Sequence, residues 1–74
     1  MELNEATKKE IENRFVYHAP KPGQPERYEK LRECAKDMAY LVNAFCPASR
    51  EKSMALTKLE EMVMWANASI ARNE

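Results

Sequence analysis

The amino-acid sequence predicts an all-α protein, an antiparallel hairpin of two long helices preceded by a short N-terminal helix and assembled as a homo-oligomer. Residues 49–74 contain no proline or glycine and are rich in good helix formers. Residues 26–46 repeat apolar side chains at helical spacing. Residues 15–25 hold three of the four prolines and the only glycine, which indicates a loop. We therefore expect one domain over residues 1–74, with helices at about 3–14, 26–46 and 49–73.

The C-terminal helix is predicted to carry a wide apolar face. Ser49 is the expected N-cap, because its hydroxyl can accept a backbone N–H that the first turn leaves unpaired. Side chains three and four residues apart form one stripe: Leu56, Leu59, Val63, Ala66 and Ile70. A second line flanks it: Met54, Met62, Trp65 and Ser69. A single partner helix would not cover both lines, so this helix needs a further surface.

The chain is short for the apolar surface that it must bury. Domains of this size bury only about 60% of the surface their unfolded chains expose, and many depend on disulfides, metals or oligomerisation. Cys34 and Cys46 lie on one predicted helix, about 18 Å apart, which is beyond the reach of a disulfide. The absence of a CxxC pair and the single histidine argue against structural zinc. Oligomerisation is therefore the remaining way to bury this apolar surface.

The short first helix is expected to dock on a neighbouring part of the assembly. Asn4 can cap it, and Leu3, Ile11 and Phe15 supply a thin apolar edge. Isolated helices of this length are marginal in water. This helix must therefore dock on other residues, and with so few apolar side chains of its own the expected partner is a neighbouring subunit.

The second helix is predicted to start near Pro25, which suits the first helical position. Its expected packing stripe is Tyr28, Leu31, Ala35, Met38, Val42 and Phe45. Cys34 and Cys46 lie on or beside this stripe, so they are interpreted as small core residues and not as nucleophiles. Cys46, Pro47 and Ala48 end the helix, and so short a connection turns the next helix back antiparallel.

Charge and hydropathy narrow the class of protein. Twelve Lys and Arg balance twelve Asp and Glu, which argues against DNA binding driven by a bulk positive field. No apolar run reaches the length of a membrane span or a signal peptide. We expect a soluble cytoplasmic protein with no membrane partner.

Catalytic constellations are not found in the sequence. His18 is the only histidine, and the sequence designates neither a nucleophile nor an orienting carboxylate for it. The carboxylates are scattered and form no cluster suited to a divalent ion. The sequence therefore predicts no enzyme activity, no cofactor and no bound metal.

The loop has an unusual composition for a simple connection. It carries three planar rings, Phe15, Tyr17 and His18. Basic side chains flank it and continue into the next two helices: Arg14, Lys21, Arg27, Lys30, Arg32, Arg50 and Lys52. Rings beside cations suit a ligand that has both bases and phosphates. The alternative is that Phe15 and Val16 anchor the loop to the core, and that the basic side chains are simply solvated.

A family resemblance adds to this reading. The stretches RFVYHAPKPGQPERY, SREKS and MWANASIARNE resemble the small phage proteins that sponge cyclic nucleotides in anti-CBASS defence, the anti-CBASS protein 2 family. The likeness covers nearly the whole chain from about residue 10. It implies a homohexamer that binds cyclic dinucleotides such as cGAMP, and cyclic trinucleotides, between subunits. Such a sponge does not cleave the signal, and it acts in the cytoplasm of the infected bacterial host.

The resemblance also implies ligand-binding residues. Phe15 resembles the ring that stacks on a dinucleotide base, and Lys30 resembles the phosphate-contacting lysine. Family members can have tyrosine at the Phe15 position, so this chain keeps the stacking face without the hydroxyl. Arg72 and Arg14 resemble residues of the separate trinucleotide site. Two further candidates lie on the same loop, Tyr17 and His18.

A second functional class stays open at this point. The wide apolar helix could instead bind another protein, in a small helical adaptor with no nucleotide ligand. Whether the purified protein retains a cyclic dinucleotide separates the two hypotheses.

Overall fold

Residues 4–74, the part of the chain that the computed structural model describes, form three helices and the short segments that join them. Helix α1 spans Glu5–Arg14, α2 spans Gln24–Phe45 and α3 spans Arg50–Asn73. Within residues 4–74 there is no strand, and α2 packs against α3 as a hairpin, so the all-α prediction is confirmed. The expected helix start at residue 3, with its apolar Leu3, lies outside the described residues.

Side-chain caps begin the first and third helices. The Asn4 side-chain oxygen accepts a hydrogen bond from the Thr7 backbone N–H at 2.7 Å. The Ser49 hydroxyl accepts one from the Lys52 backbone N–H at 3.1 Å. Each bond satisfies a donor that the first helical turn cannot pair internally. The two caps lie where the sequence predicted them.

Helix α2 begins two residues earlier than predicted, at Gln24. Gly23 precedes it with a φ of +85°, in the left-handed region that favours glycine. Pro25 then occupies the first turn, where its missing N–H leaves no helical hydrogen bond unmade. The glycine therefore turns the chain and the proline fits the helix that follows.

The seam between α2 and α3 is made of small and aliphatic side chains. The predicted α3 stripe is half-buried along its whole length, from Leu56 to Ile70. On α2, Ala35 is buried, and four further residues of the line are half-buried: Tyr28, Leu31, Ala39 and Val42. Small alanine side chains allow the two helix backbones to approach closely.

Within the single chain, the predicted α2 packing stripe was wrong at two positions, Met38 and Phe45. Their side chains are 49% and 80% exposed, and Ala39 takes the place expected for Met38. Both Met38 and Ala39 stand three or four residues from Ala35 and Val42, so helical periodicity allows either. The packing of α3 selects the smaller residue.

The interpretation of both cysteines as core residues was also wrong for the single chain. Cys34 and Cys46 are exposed. Cys34 is adjacent to the buried Ala35 and therefore points about 100° away from it around the helix. Cys46 ends α2, where the chain leaves the seam.

The described chain is flat and extended. Its Cα radius of gyration is 16.7 Å, whereas a compact domain of this length would have about 11 Å. The shortest dimension is 13 Å, so the hairpin is a single layer of helices. Within residues 4–74 only Gln24 and Ala35 are buried. A closed core therefore requires further surface, and the homo-oligomer stays a prediction.

No helix in the described range is long and apolar enough to cross a bilayer.

Candidate functional site

The loop between α1 and α2 exposes its aromatic rings. Phe15 is 84% exposed and Tyr17 is 82% exposed, and Val16 between them is 53% exposed. The alternative in which Phe15 and Val16 anchor the loop to the core is therefore wrong within the single chain. The rings are presented outward, with their faces available for stacking.

Polar contacts hold the start of the loop. The Phe15 backbone N–H donates to the Ile11 carbonyl at 3.1 Å and ends α1. The half-buried His18 ring lies with Nε2 2.8 Å from the Asn13 carbonyl oxygen, so Nε2 carries the proton and donates. The Asn13 side-chain amide donates to the Arg72 carbonyl at 3.1 Å. The loop start is thus tied both to itself and to the end of α3.

A second set of polar contacts holds the end of the loop. Gln24 is only 2% exposed, and its Oε1 accepts from the Lys21 backbone N–H at 2.9 Å. Its Nε2 donates to Glu74 Oε1 at 3.3 Å. The Lys21 ammonium donates to the main-chain oxygen of Glu74. The end of α3 therefore contacts the loop at both of its ends.

Arg27 completes this second set. Its guanidinium meets the Glu74 carboxylate with both terminal nitrogens, Nη1 donating to Oε2 at 2.7 Å and Nη2 to Oε1. The hydrogen bonds from Arg27, then that from Gln24, lower the pKa of Glu74 from 4.5 to about 2. The same pair raises the pKa of Arg27. Both side chains are about half exposed, so the pair is a geometric restraint more than a source of stability.

The basic side chains divide into those committed to the fold and those facing solvent. Arg27 is held by Glu74, and Lys52 Nζ donates to the Asn43 carbonyl at 3.0 Å near the hairpin turn. Arg14 pairs with Glu10 at 2.8 Å on the exposed face of α1. Lys30 is exposed on α2 and makes no hydrogen bond or ion pair with other residues of the range 4–74. Lys30 is thus available to an anionic ligand.

The six predicted site residues are only partly brought together. Asn13 links the loop with its rings to Arg72, which is half-buried at the end of α3. Arg14 is the last residue of α1, directly before the loop. Lys30 lies on α2, about 9 Å further along the helix axis than Gln24. One end of the hairpin therefore carries five candidates, and Lys30 stands beyond them on α2.

A cleft of about 300 Å³ opens beside the loop and is lined by His18, Tyr28, Arg32, Asn67, Ala68 and Ala71. Asn67 Oδ1 is buried and accepts no hydrogen bond from residues 4–74. A longer groove of about 620 Å³ follows the α2–α3 seam, lined largely by Ala35, Ala39, Leu56, Leu59 and Val63. Both are lined mainly by apolar surface, and Arg32 lines both. In the described range no three His, Cys, Asp or Glu side chains converge as a metal site.

Sequence reasoning missed Asn13, Gln24 and Glu74 as residues that shape the site. Each is a polar residue whose partner lies far away in the chain, up to 59 residues for Asn13 and Arg72. No local motif signals such a pairing. Gly23 and Pro25 around Gln24 signal only the start of a helix.

Comparison with known proteins gives one match. The family model described as the Acb2/Tad1 hairpin domain matches residues 7–71, nearly the whole chain. No curated protein and no solved structure matches the chain. The match covers the loop and both long helices, and the resemblance to the anti-CBASS protein 2 family is confirmed.

Proposed function

Because this chain belongs to the Acb2/Tad1 hairpin-domain family, we propose that it binds and sequesters cyclic di- and trinucleotide messengers of CBASS defence. Membership in this family suggests a role as an anti-CBASS cyclic-nucleotide sponge, a binder and not an enzyme. The proposal for this chain goes further. It concerns messengers such as cGAMP, held intact by a phage protein in the cytoplasm of the bacterial host.

The observation that carries the proposal is the pair of exposed rings on a loop held by polar contacts. Phe15 and Tyr17 are each more than four-fifths exposed, while the backbone around them is fixed through His18 and Lys21. Stacking a base on an aromatic side chain contributes roughly 1–3 kcal/mol. A loop that is already ordered loses less entropy on binding than a flexible loop. The arrangement suits capture of a flat base.

The exposed cations supply the second half of the recognition. Phe15 is proposed to stack on a base of a cyclic dinucleotide, and Lys30 to contact a phosphate. Arg72, with Arg14, is proposed to serve the trinucleotide. Tyr17 and His18 extend the same surface. In a cyclic oligonucleotide the phosphates and the bases alternate around the macrocycle. Cationic side chains beside aromatic side chains match such a ligand.

A homohexamer with pockets between subunits is the proposed assembly. The single layer of helices and the radius of gyration of 16.7 Å support an assembly, since one chain leaves both faces of the layer open. Exposed apolar side chains on these faces include Met38, Phe45, Met62 and Trp65. Contact with further copies would bury them and would bring side chains of two protomers to one ligand.

Sequestration without cleavage fits the polar groups of the loop. Cutting a phosphodiester requires a general base or a metal beside the scissile phosphate. His18, the only histidine, is bonded through Nε2 to the Asn13 carbonyl, and no carboxylate of residues 4–74 is hydrogen-bonded to its ring. A binder needs no such group, and its inhibition scales with the number of sites and not with time.

An adaptor without a nucleotide ligand is the second candidate, and the exposed Trp65, at 67%, favours it. An adaptor would bind protein through the apolar faces and would leave the loop rings unused. The two candidates therefore differ in whether the loop or the helix faces meet the partner.

The test is to titrate the purified protein calorimetrically with a panel of cyclic di- and trinucleotides, then denature the complex and analyse the released ligand. We expect saturable binding and recovery of unmodified ligand that activates its effector again. Absence of binding across the panel would favour the adaptor. Linear products that increase with incubation time would identify an enzyme.

A further inference from the structure

We propose that the contacts between the end of α3 and the loop position the aromatic rings for ligand binding, so that Arg27 and Glu74 act as positioning residues. These contacts, here called the C-terminal clasp, join Asn13, Lys21, Gln24 and Arg27 to Arg72 and Glu74. The inference rests on the proposed function, because it assigns a role within that same site.

The clasp arises from the unpaired carbonyl groups at the end of α3. The last four carbonyls of a helix have no partner inside the helix. Here the Arg72 carbonyl, one of these four, accepts from the Asn13 amide at 3.1 Å, and the main-chain oxygen of Glu74, the residue that follows α3, accepts from the Lys21 ammonium. A cation at a helix C-terminus also suits the helix dipole. Donors near the two ends of the loop therefore pair with acceptors at the end of α3.

Gln24 joins the loop end to α2 and α3 at once. Its buried carboxamide accepts from the Lys21 backbone N–H and donates to Glu74, so both halves of the amide are paired. A buried amide with an unmade hydrogen bond would be costly. Arg27 donates to both carboxylate oxygens of Glu74, of which Oε1 also accepts from Gln24. Lys21 is therefore bonded to both Gln24 and Glu74, and Arg27 adds to the contacts that hold Glu74 in place.

Phe15 and Tyr17 lie in the chain between the two anchor points, Asn13 and Lys21. Neither ring packs closely on the rest of the chain, since both are more than 80% exposed. The backbone alone sets where such a ring stands. If the clasp opens at Glu74, the loop gains freedom that the ligand must remove again on binding. We expect a loss of affinity of about threefold to tenfold for the opened clasp.

The test compares Arg27→Gln, Glu74→Gln and the double variant, each titrated with 3′,3′-cGAMP at several salt concentrations. Each single variant should weaken binding about threefold to tenfold. The double variant should bind no more weakly than the single variant with the lower affinity, because both substitutions break the same contact. The slope of affinity against salt should stay at the wild-type value, since neither side chain contacts phosphate. Lys30→Ala is the matched control, and its slope should fall.

Three outcomes would decide against the positioning role. Unchanged affinity in both single variants, with Phe15→Ala weakened, would overturn the inference and leave the proposed function standing. A reduced salt slope in Arg27→Gln would make Arg27 a direct phosphate contact. No binding by the wild-type protein would overturn the proposed function and the positioning role together.

A second measurement distinguishes a loosened loop from a variant that fails to fold. Hydrogen exchange of the backbone amides of residues 16–18 in Glu74→Gln should be faster than in the wild type, while the amides of the α2–α3 seam keep their protection. Equal exchange in the loop would show that the clasp does not restrain it.

Discussion

The α2–α3 seam and the loop end of the hairpin are held together by opposite kinds of side chain. The seam joins half-buried aliphatic residues such as Leu59 and Val63 to the small Ala35 and Ala39. The loop end is held by amides and charges, and its apolar rings face outward. Apolar side chains thus stabilise the fold in one region and are exposed in the other. The rings of the polar-anchored loop are therefore the proposed binding surface, whereas the same residues in the seam would be structural.

The largest expected effect concerns the outer faces of the hairpin. Trp65→Glu should dissociate the assembly or unfold the chain, because a charge would replace a large aromatic residue at a proposed subunit contact. Sedimentation equilibrium at micromolar concentration should give a multiple of 8.6 kDa for the wild type and a smaller mass for the variant. Ser53→Glu, an exposed position of the same helix, is the control and should keep the wild-type mass. A monomeric wild-type protein would contradict the assembly.

Because the two regions differ, truncating Phe15 should affect ligand binding and truncating Leu59 should affect stability. Phe15→Ala should weaken cyclic dinucleotide binding about 5- to 150-fold with little change in stability, since the ring is exposed. Leu59→Ala should lower the free energy of unfolding by about 1–2 kcal/mol, less than for a fully buried leucine. Calorimetric titration and urea unfolding at fixed protein concentration measure the two effects.

Phe15→Tyr is the matched control for the ring, and it should bind within a few-fold of wild type because the stacking face remains. A stability loss in Phe15→Ala as large as that in Leu59→Ala would mean that the ring is structural. The contrast between the two regions would then be wrong.

Lys30→Ala should weaken binding several-fold and flatten its salt dependence, since one phosphate contact would be lost. Binding titrations at several salt concentrations measure both quantities. Lys58→Ala is the control, because Lys58 is an exposed lysine on α3 that pairs with Glu61. An unchanged slope for Lys30→Ala would place the phosphate elsewhere.

The smallest expected effect is the pH dependence of the clasp. The pKa of Glu74 falls from 4.5 to about 2 on folding, because Arg27 and Gln24 stabilise the carboxylate. Its contribution to stability is therefore fully present above pH 4.5 and is lost as the pH falls towards 2. Thermal unfolding followed from pH 6 to pH 2 should show a shallower decline for Glu74→Gln than for wild type. Parallel curves would mean that the ion pair does not form in solution.

Several features of the fold could be predicted because they are local. Asn4 and Ser49 bond to residues three positions ahead, and Gly23 and Pro25 act on their own backbone. The helical spacing of the α3 stripe identifies its more buried face before any partner is known. The composition of the loop was enough to name its aromatic rings as candidates, but it could not predict that they are exposed.

What the sequence by itself determined are the three helices, their caps and the apolar face of α3, because each depends on residues within about four positions of one another. Only the tertiary structure decided that Ala39 packs where Met38 could have packed, and that Gln24 is buried against Glu74. Periodicity leaves both choices at α2 equivalent, and no local rule joins residues 50 or more positions apart. The geometry of the loop depends on those distant contacts, since the end of α3 supplies the acceptors that its polar groups require.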